Sequence, residues 1–122
     1  MKSIIMTGAL LAGLAVMLGA FGAHALKAKV SPENLTIFDT AVKYHMYHAL
    51  GLILIGLLGF HFPVKLIQIP AYLMMGGILI FSGSLYVLVL SGIRWLGAIT
   101  PVGGIAFIIS WLLLAFNLYR SG

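Results

Sequence analysis

The sequence predicts an all-α membrane protein, an antiparallel bundle of four transmembrane helices. Three observations carry this. Hydrophobic residues fill 62% of the 122 positions and charged residues only 7%, against about 25% charged in soluble domains. Four apolar stretches each reach the roughly 20 residues that a bilayer crossing needs. The connections between them are short, which sets consecutive helices antiparallel. The mean hydropathy of +1.17 agrees.

The same composition excludes several classes. Seven basic and two acidic side chains cannot coat a soluble globule. Disorder requires low hydrophobicity. With no cysteine there is no disulfide framework and no thiolate zinc site. The net charge of +5 is spread singly over Lys2, Lys27, Lys29, Lys43, Lys65, Arg94 and Arg120. A nucleic-acid surface needs clustered charge, so no nucleic-acid partner is expected. Scattered basic residues instead flank a lipid bilayer.

The chain reads as a single transmembrane domain over residues 1–122. The first span covers residues 4–26 and carries no charge after Lys2. It has a competing reading as a signal peptide, with Ala23-His24-Ala25 as a small-x-small cleavage site. Its apolar run exceeds the usual 7–15 residues of such segments. Small residues also recur four apart (Gly8 with Ala12, Ala9 with Gly13, Ala15 with Gly19 and Ala23), which suits close helix packing in lipid. A retained helix is therefore expected.

The second span covers residues 42–62, in a helix starting near Pro32. Ser31-Pro32-Glu33 combines an N-cap, a proline at the first helical position and an acid at the positive helix end. Pro63 and Pro70 are read as flanking the loop before the third span, residues 67–90. The fourth covers residues 97–119. Its helix starts at Pro101, after Thr100, or nearer Trp95 with a kink at the proline. Tyr44, Tyr47, Trp95 and Tyr119 fit an aromatic belt. Lys and Arg divide three against four between the two faces, which sets no orientation.

Polar side chains inside the spans are the candidates for chemistry. No acid lies in an apolar core, which argues against proton-coupled export. His45 and His48 sit i,i+3 on the second helix. Phe38, Ala41, Val42, His45, Ala49 and Leu52 share one face, with His48 at its edge. The expectation is a polar cluster of His24, Tyr44 and His48 near one membrane face, with His45 beside it. Ser82, Ser84 and Tyr86 of the third span would supply hydrogen-bond partners. Imidazoles of this kind also admit a bis-histidine haem or metal site, but no carboxylate stands ready to orient them. No catalytic residue, metal or cofactor is expected. Gly19, Gly22, Gly83, Gly103 and Gly104 are the expected packing positions. The specific expectation is a contact between the first helix and the Gly/Ser stretch of the third.

Two runs then carry a resemblance: Gly19-Ala20-Phe21-Gly22-Ala23-His24-Ala25-Leu26, and Phe38 with Ala41-Val42-Lys43-Tyr44-His45-Met46-Tyr47-His48-Ala49-Leu50. With Phe81-Ser82-Gly83-Ser84-Leu85-Tyr86, Thr100-Pro101-Val102-Gly103-Gly104 and Trp111, they resemble the YgdD-like family of small bacterial membrane proteins, a family of unknown function. The resemblance covers nearly the whole chain. It implies an inner-membrane protein of about four helices and no assigned activity. The expected function is non-enzymatic: a multi-pass bundle in the cell's inner or plasma membrane that binds a lipid, a hydrophobic ligand or a partner membrane protein. A small transporter or channel acting as a homo-oligomer is the alternative, and a haem or quinone redox protein the third reading.

Overall fold

The structure, a computed structural model, describes residues 2–121. It is all-helical across those residues, with helices α1 (Lys2–His24), α2 (Pro32–Leu58), α3 (Val64–Gly77), α4 (Gly83–Ser91) and α5 (Thr100–Ser121). A π-helical turn over Ile78–Ser82 joins α3 and α4 into one continuous span, Val64–Ser91. Four segments are thus long and apolar enough to cross a membrane. Spans adjacent in sequence pack on one another.

The seam between α1 and α2 follows a seven-residue repeat. In α1, Ile4, Gly8, Ala15 and Gly22 are buried, and Leu11 and Leu18 pack on the core between them. The spacing alternates four and three. On α2 the residues met are Phe38, Val42, Ala49, Ile53 and Gly56, while Ala41 and His48, on the neighbouring buried face, look to the third and fourth spans. A 3.5-residue period keeps two helices in contact along their length. The two histidines are both buried, His45 at 1% and His48 at 6% exposure.

Local chemistry fixes the helix ends. The Asn34 N–H donates to the Ser31 hydroxyl at 3.2 Å, and Pro32 opens α2 with Glu33 in its first turn. Gly92 ends α4 in the left-handed conformation, φ 76°, which costs glycine nothing. A 3-10 turn over Arg94–Ala98 leads into α5 at Thr100, and Arg94 donates to the Asn34 side chain at 2.8 Å.

Pro70 lies inside α3 and not at a loop edge. A proline has no N–H, so the Leu66 carbonyl, four residues earlier, loses its helical partner. Asn117 of α5 donates to that carbonyl at 2.9 Å. Ser110 of α5 donates to the Pro70 carbonyl at 2.6 Å. Two α5 side chains thus serve the backbone around the proline.

The expected contact between the first helix and the Gly/Ser stretch of the third is not formed. A Cβ at Gly83 would meet nothing within 4 Å. The contacts of α1 go to α2 and to the turn that follows α1, because α1 carries one narrow seam and spends it on its neighbour in sequence. Gly22 lies against the Phe38 ring, where a Cβ would sit 2.9 Å from it, and Gly19 lies more loosely on Val42 at 3.4 Å. Gly103 is the tightest of these positions: a Cβ there would run into the Phe81 backbone, whereas one at Gly104 would come only within 3.8 Å of the Phe81 ring.

Candidate functional site

The polar residues of the bundle gather around α2. Nδ1 of His45 lies 2.7 Å from the Tyr86 hydroxyl of α4. The Ser82 hydroxyl, in the π-helical turn, donates to the Ala41 carbonyl of α2 at 2.8 Å. Both links join α2 to the third span. His45 is only 1% exposed, and its Nε2 is sealed from the surface without a hydrogen-bond partner. The Leu11 carbonyl of α1 lies beside the ring.

His48 is held differently. Its Nδ1 lies 2.6 Å from the Tyr44 carbonyl. A carbonyl only accepts, so Nδ1 carries the proton, and in the neutral ring Nε2 is left as an acceptor. The imidazole stacks on Phe107 of α5, centroids 3.6 Å apart and planes 10° apart. Trp111 stands 5.9 Å away, and the Tyr44 ring lies nearly parallel at 6.1 Å. Phe81 closes the group, 4.9 Å from Tyr44 and 5.6 Å from Phe107. His48 is buried but retains a small exposed edge.

Depth follows from the α1 contacts. A Cβ on Gly8 would touch Ala49 and Ile53, one on Gly19 would touch Val42, and one on Gly56 would touch Ile5. The middle of α1 therefore faces the His45–His48 stretch, and the two histidines lie at the level of the bilayer centre.

That depth separates the expected cluster. Gly22 packs on Phe38, so His24 ends α1 near the level of Phe38 and is exposed. His48 lies ten residues further along α2, about 15 Å deeper at 1.5 Å per residue. His24 is not a partner of His48. Tyr44 contributes its backbone carbonyl and its ring, with its hydroxyl end toward the exposed side. Ser84 joins a different contact: its hydroxyl lies 2.6 Å from that of Thr100 at the start of α5 and donates to the Phe81 carbonyl at 3.0 Å. Residues two apart on a helix face different sides, which is why Ser82 reaches α2 and Ser84 reaches α5. The set brought together is His45, Tyr86 and Ser82 in the interior, with Tyr44 and His48 at its edge. Phe107 and Trp111 belong with His48, and sequence reasoning assigned them no role there. Their spacing of four on α5 was the available signal. Among the described residues, no three His, Asp or Glu side chains converge on one point.

A family model described as a protein of unknown function, DUF423, matches residues 18–104. The chain belongs to this family. The UPF0382 membrane protein YwdK of Bacillus subtilis is 50% identical over 115 residues, covering 93% of this chain and 94% of the relative. UPF0382 membrane proteins of Staphylococcus saprophyticus and Staphylococcus haemolyticus are 45% and 44% identical over 120 residues, each covering 98% of this chain and 99% and 98% of the relative. No solved structure matches. The DUF423 match contains His45, His48, Ser82 and Tyr86, while Phe107 and Trp111 lie beyond it.

Proposed function

We propose that this DUF423 protein is a non-enzymatic bundle of the inner or plasma membrane that binds a hydrophobic ligand on its lipid-facing side, at His48. The likeness to the YgdD-like group fits this location and adds no activity. The observation that carries the reading is Nε2 of His48, an acceptor at mid-bilayer depth with no partner among the described residues, on a ring that keeps a small exposed edge. Polar atoms at that depth are costly unless matched. The surrounding rings of Tyr44, Phe107 and Trp111 offer an apolar wall. The ligand that fits is an apolar molecule bearing one O–H or N–H group.

The test compares organic extracts of the wild type and of His48→Phe, each purified in mild detergent, by mass spectrometry. Phenylalanine preserves the stack on Phe107 and removes the acceptor. A copurifying apolar species depleted in a folded His48→Phe protein is expected. Equal content in both proteins ends the reading.

The second reading, a small homo-oligomeric transporter, draws on the same depth, since intramembrane ionisable groups mark transport pathways. The sealed Nε2 of His45 favours binding over passage.

A further inference from the structure

At one end of the bundle, an open groove of about 760 Å³ lies between the α2–α3 connection and the last turn of α5. His61, Lys65 and Arg120 line it with Asn117, and none of the described lining residues has an acidic side chain. The two acidic side chains of the chain, Glu33 and Asp39, stand in the opening turns of α2 at the opposite end. The start of α1 packs at the groove's end, with Ile5 against Gly56, which brings Lys2 to the same membrane face.

The groove is shaped for an anion by more than its side chains. Pro63 occupies the N-cap of α3 and supplies no side-chain acceptor. The Leu66 N–H turns back to the Pro63 carbonyl at 3.0 Å, so among the described residues the N–H groups of Val64 and Lys65 are left without a cap at the groove's edge, at the positive end of the helix dipole. The Arg120 guanidinium is held 5.4 Å over the Phe116 ring, which limits its freedom without neutralising it. Asn117 uses one amide hydrogen on the Leu66 carbonyl and keeps a second to donate. The end of α5 brings carbonyls of the opposite polarity, and the Ser121 hydroxyl answers one of them, that of Leu118.

The groove lies where four spans end, at headgroup depth, and basic clusters there recognise anionic headgroups. We propose that it is a binding site for a phosphate group, filled in the membrane by the headgroup of an anionic phospholipid. The site is separate from His48, and its test does not depend on that reading.

Native mass spectrometry of the intact protein tests it, with phosphatidylglycerol or phosphatidylcholine of matched chains added in detergent. The wild type retains phosphatidylglycerol preferentially. Lys65→Ala/Arg120→Ala weakens retention about tenfold or more, the weight of two basic side chains at an anionic surface. Lys27→Ala/Lys29→Ala removes the same charge from the opposite end and leaves retention unchanged. Equal effects of the two variants, or equal retention of phosphatidylcholine by the wild type, overturn the proposal. Should the double variant lose its helical circular dichroism, Lys65→Gln and Arg120→Gln are read singly in the same assay. Millimolar inorganic phosphate separates the two sources. Phosphatidylglycerol that survives it supports the headgroup, and displacement overturns the lipid assignment in favour of the free ion.

Discussion

The Tyr86 hydroxyl and Nδ1 of His45 meet at 2.7 Å although 41 residues separate them in sequence. The pair ties the second span to the third at the level of the bilayer centre. Both groups are polar, and each supplies what the other needs in a medium without water. Ser82, four residues before Tyr86, makes a second tie of the same kind to Ala41.

Tyr86→Phe keeps the ring against Phe38, at 5.2 Å between centroids, and removes only the hydroxyl. The expected cost is about 1 kcal/mol, with buried-group penalties reaching about 3. In a His45→Leu background, the same substitution should cost clearly less. Reversible unfolding in micelles, run as a double-mutant cycle, measures the difference. Equal costs in both backgrounds would show that the bond contributes nothing.

Gly103 and Gly83 look alike in sequence and differ in space. Gly103→Ala must displace the Phe81 backbone in the π-helical turn, whereas Gly83→Ala enters open space. Gly103→Ala should lower the melting temperature in detergent. Gly83→Ala should leave it unchanged or raise it, because alanine favours the helix over glycine by about 1 kcal/mol. The reverse order of the two melting curves would contradict the packing described.

What the sequence shows depends on whether the chemistry is local. Ser31, Pro32 and Glu33 form a complete helix start within three residues, and α2 begins there. Four apolar runs separated by short connections leave little choice of fold. The inward face of α2 is legible because a helix displays its residues at a fixed angle, so His45 reads correctly as an inward residue. Distances between helices have no such local code. His24 reads as a neighbour of His48 only if α2 meets the membrane near Val42. Its actual seam with α1 starts at Phe38 and carries His48 deeper. The π-helical turn is invisible to periodicity, since one extra residue shifts everything after it. Phe107 and Trp111 take their meaning from His48, a residue two spans earlier in the chain.

Topology follows from the count of spans. Four crossings return the chain to the side on which it started, so reporter fusions at residues 1 and 122 should report the same compartment. A fusion in the Lys27–Lys29 turn should report the opposite one. Reporters that place the two ends in different compartments would remove one of the four crossings.

The last expectation joins Pro70 to Asn117. A carbonyl freed by a proline near the end of a span needs another donor, and here a side chain of the neighbouring span supplies it. The Asn117 amide meets the Leu66 carbonyl from the neighbouring span, so the two residues act as a unit although 47 positions apart. Asn117→Leu should destabilise by about 1–2 kcal/mol, because it leaves a partly buried carbonyl without a donor. Pro70→Ala restores an N–H to α3 and with it the helical bond to Leu66. In that background, Asn117→Leu should cost little, since the carbonyl no longer depends on α5. Ser110 supports the same stretch through the Pro70 carbonyl and is left intact, so the cycle reads the single bond. Reversible unfolding of the four proteins supplies the coupling. Costs for Asn117→Leu that are identical with and without the proline would show that Asn117 holds α5 for a reason unrelated to the proline.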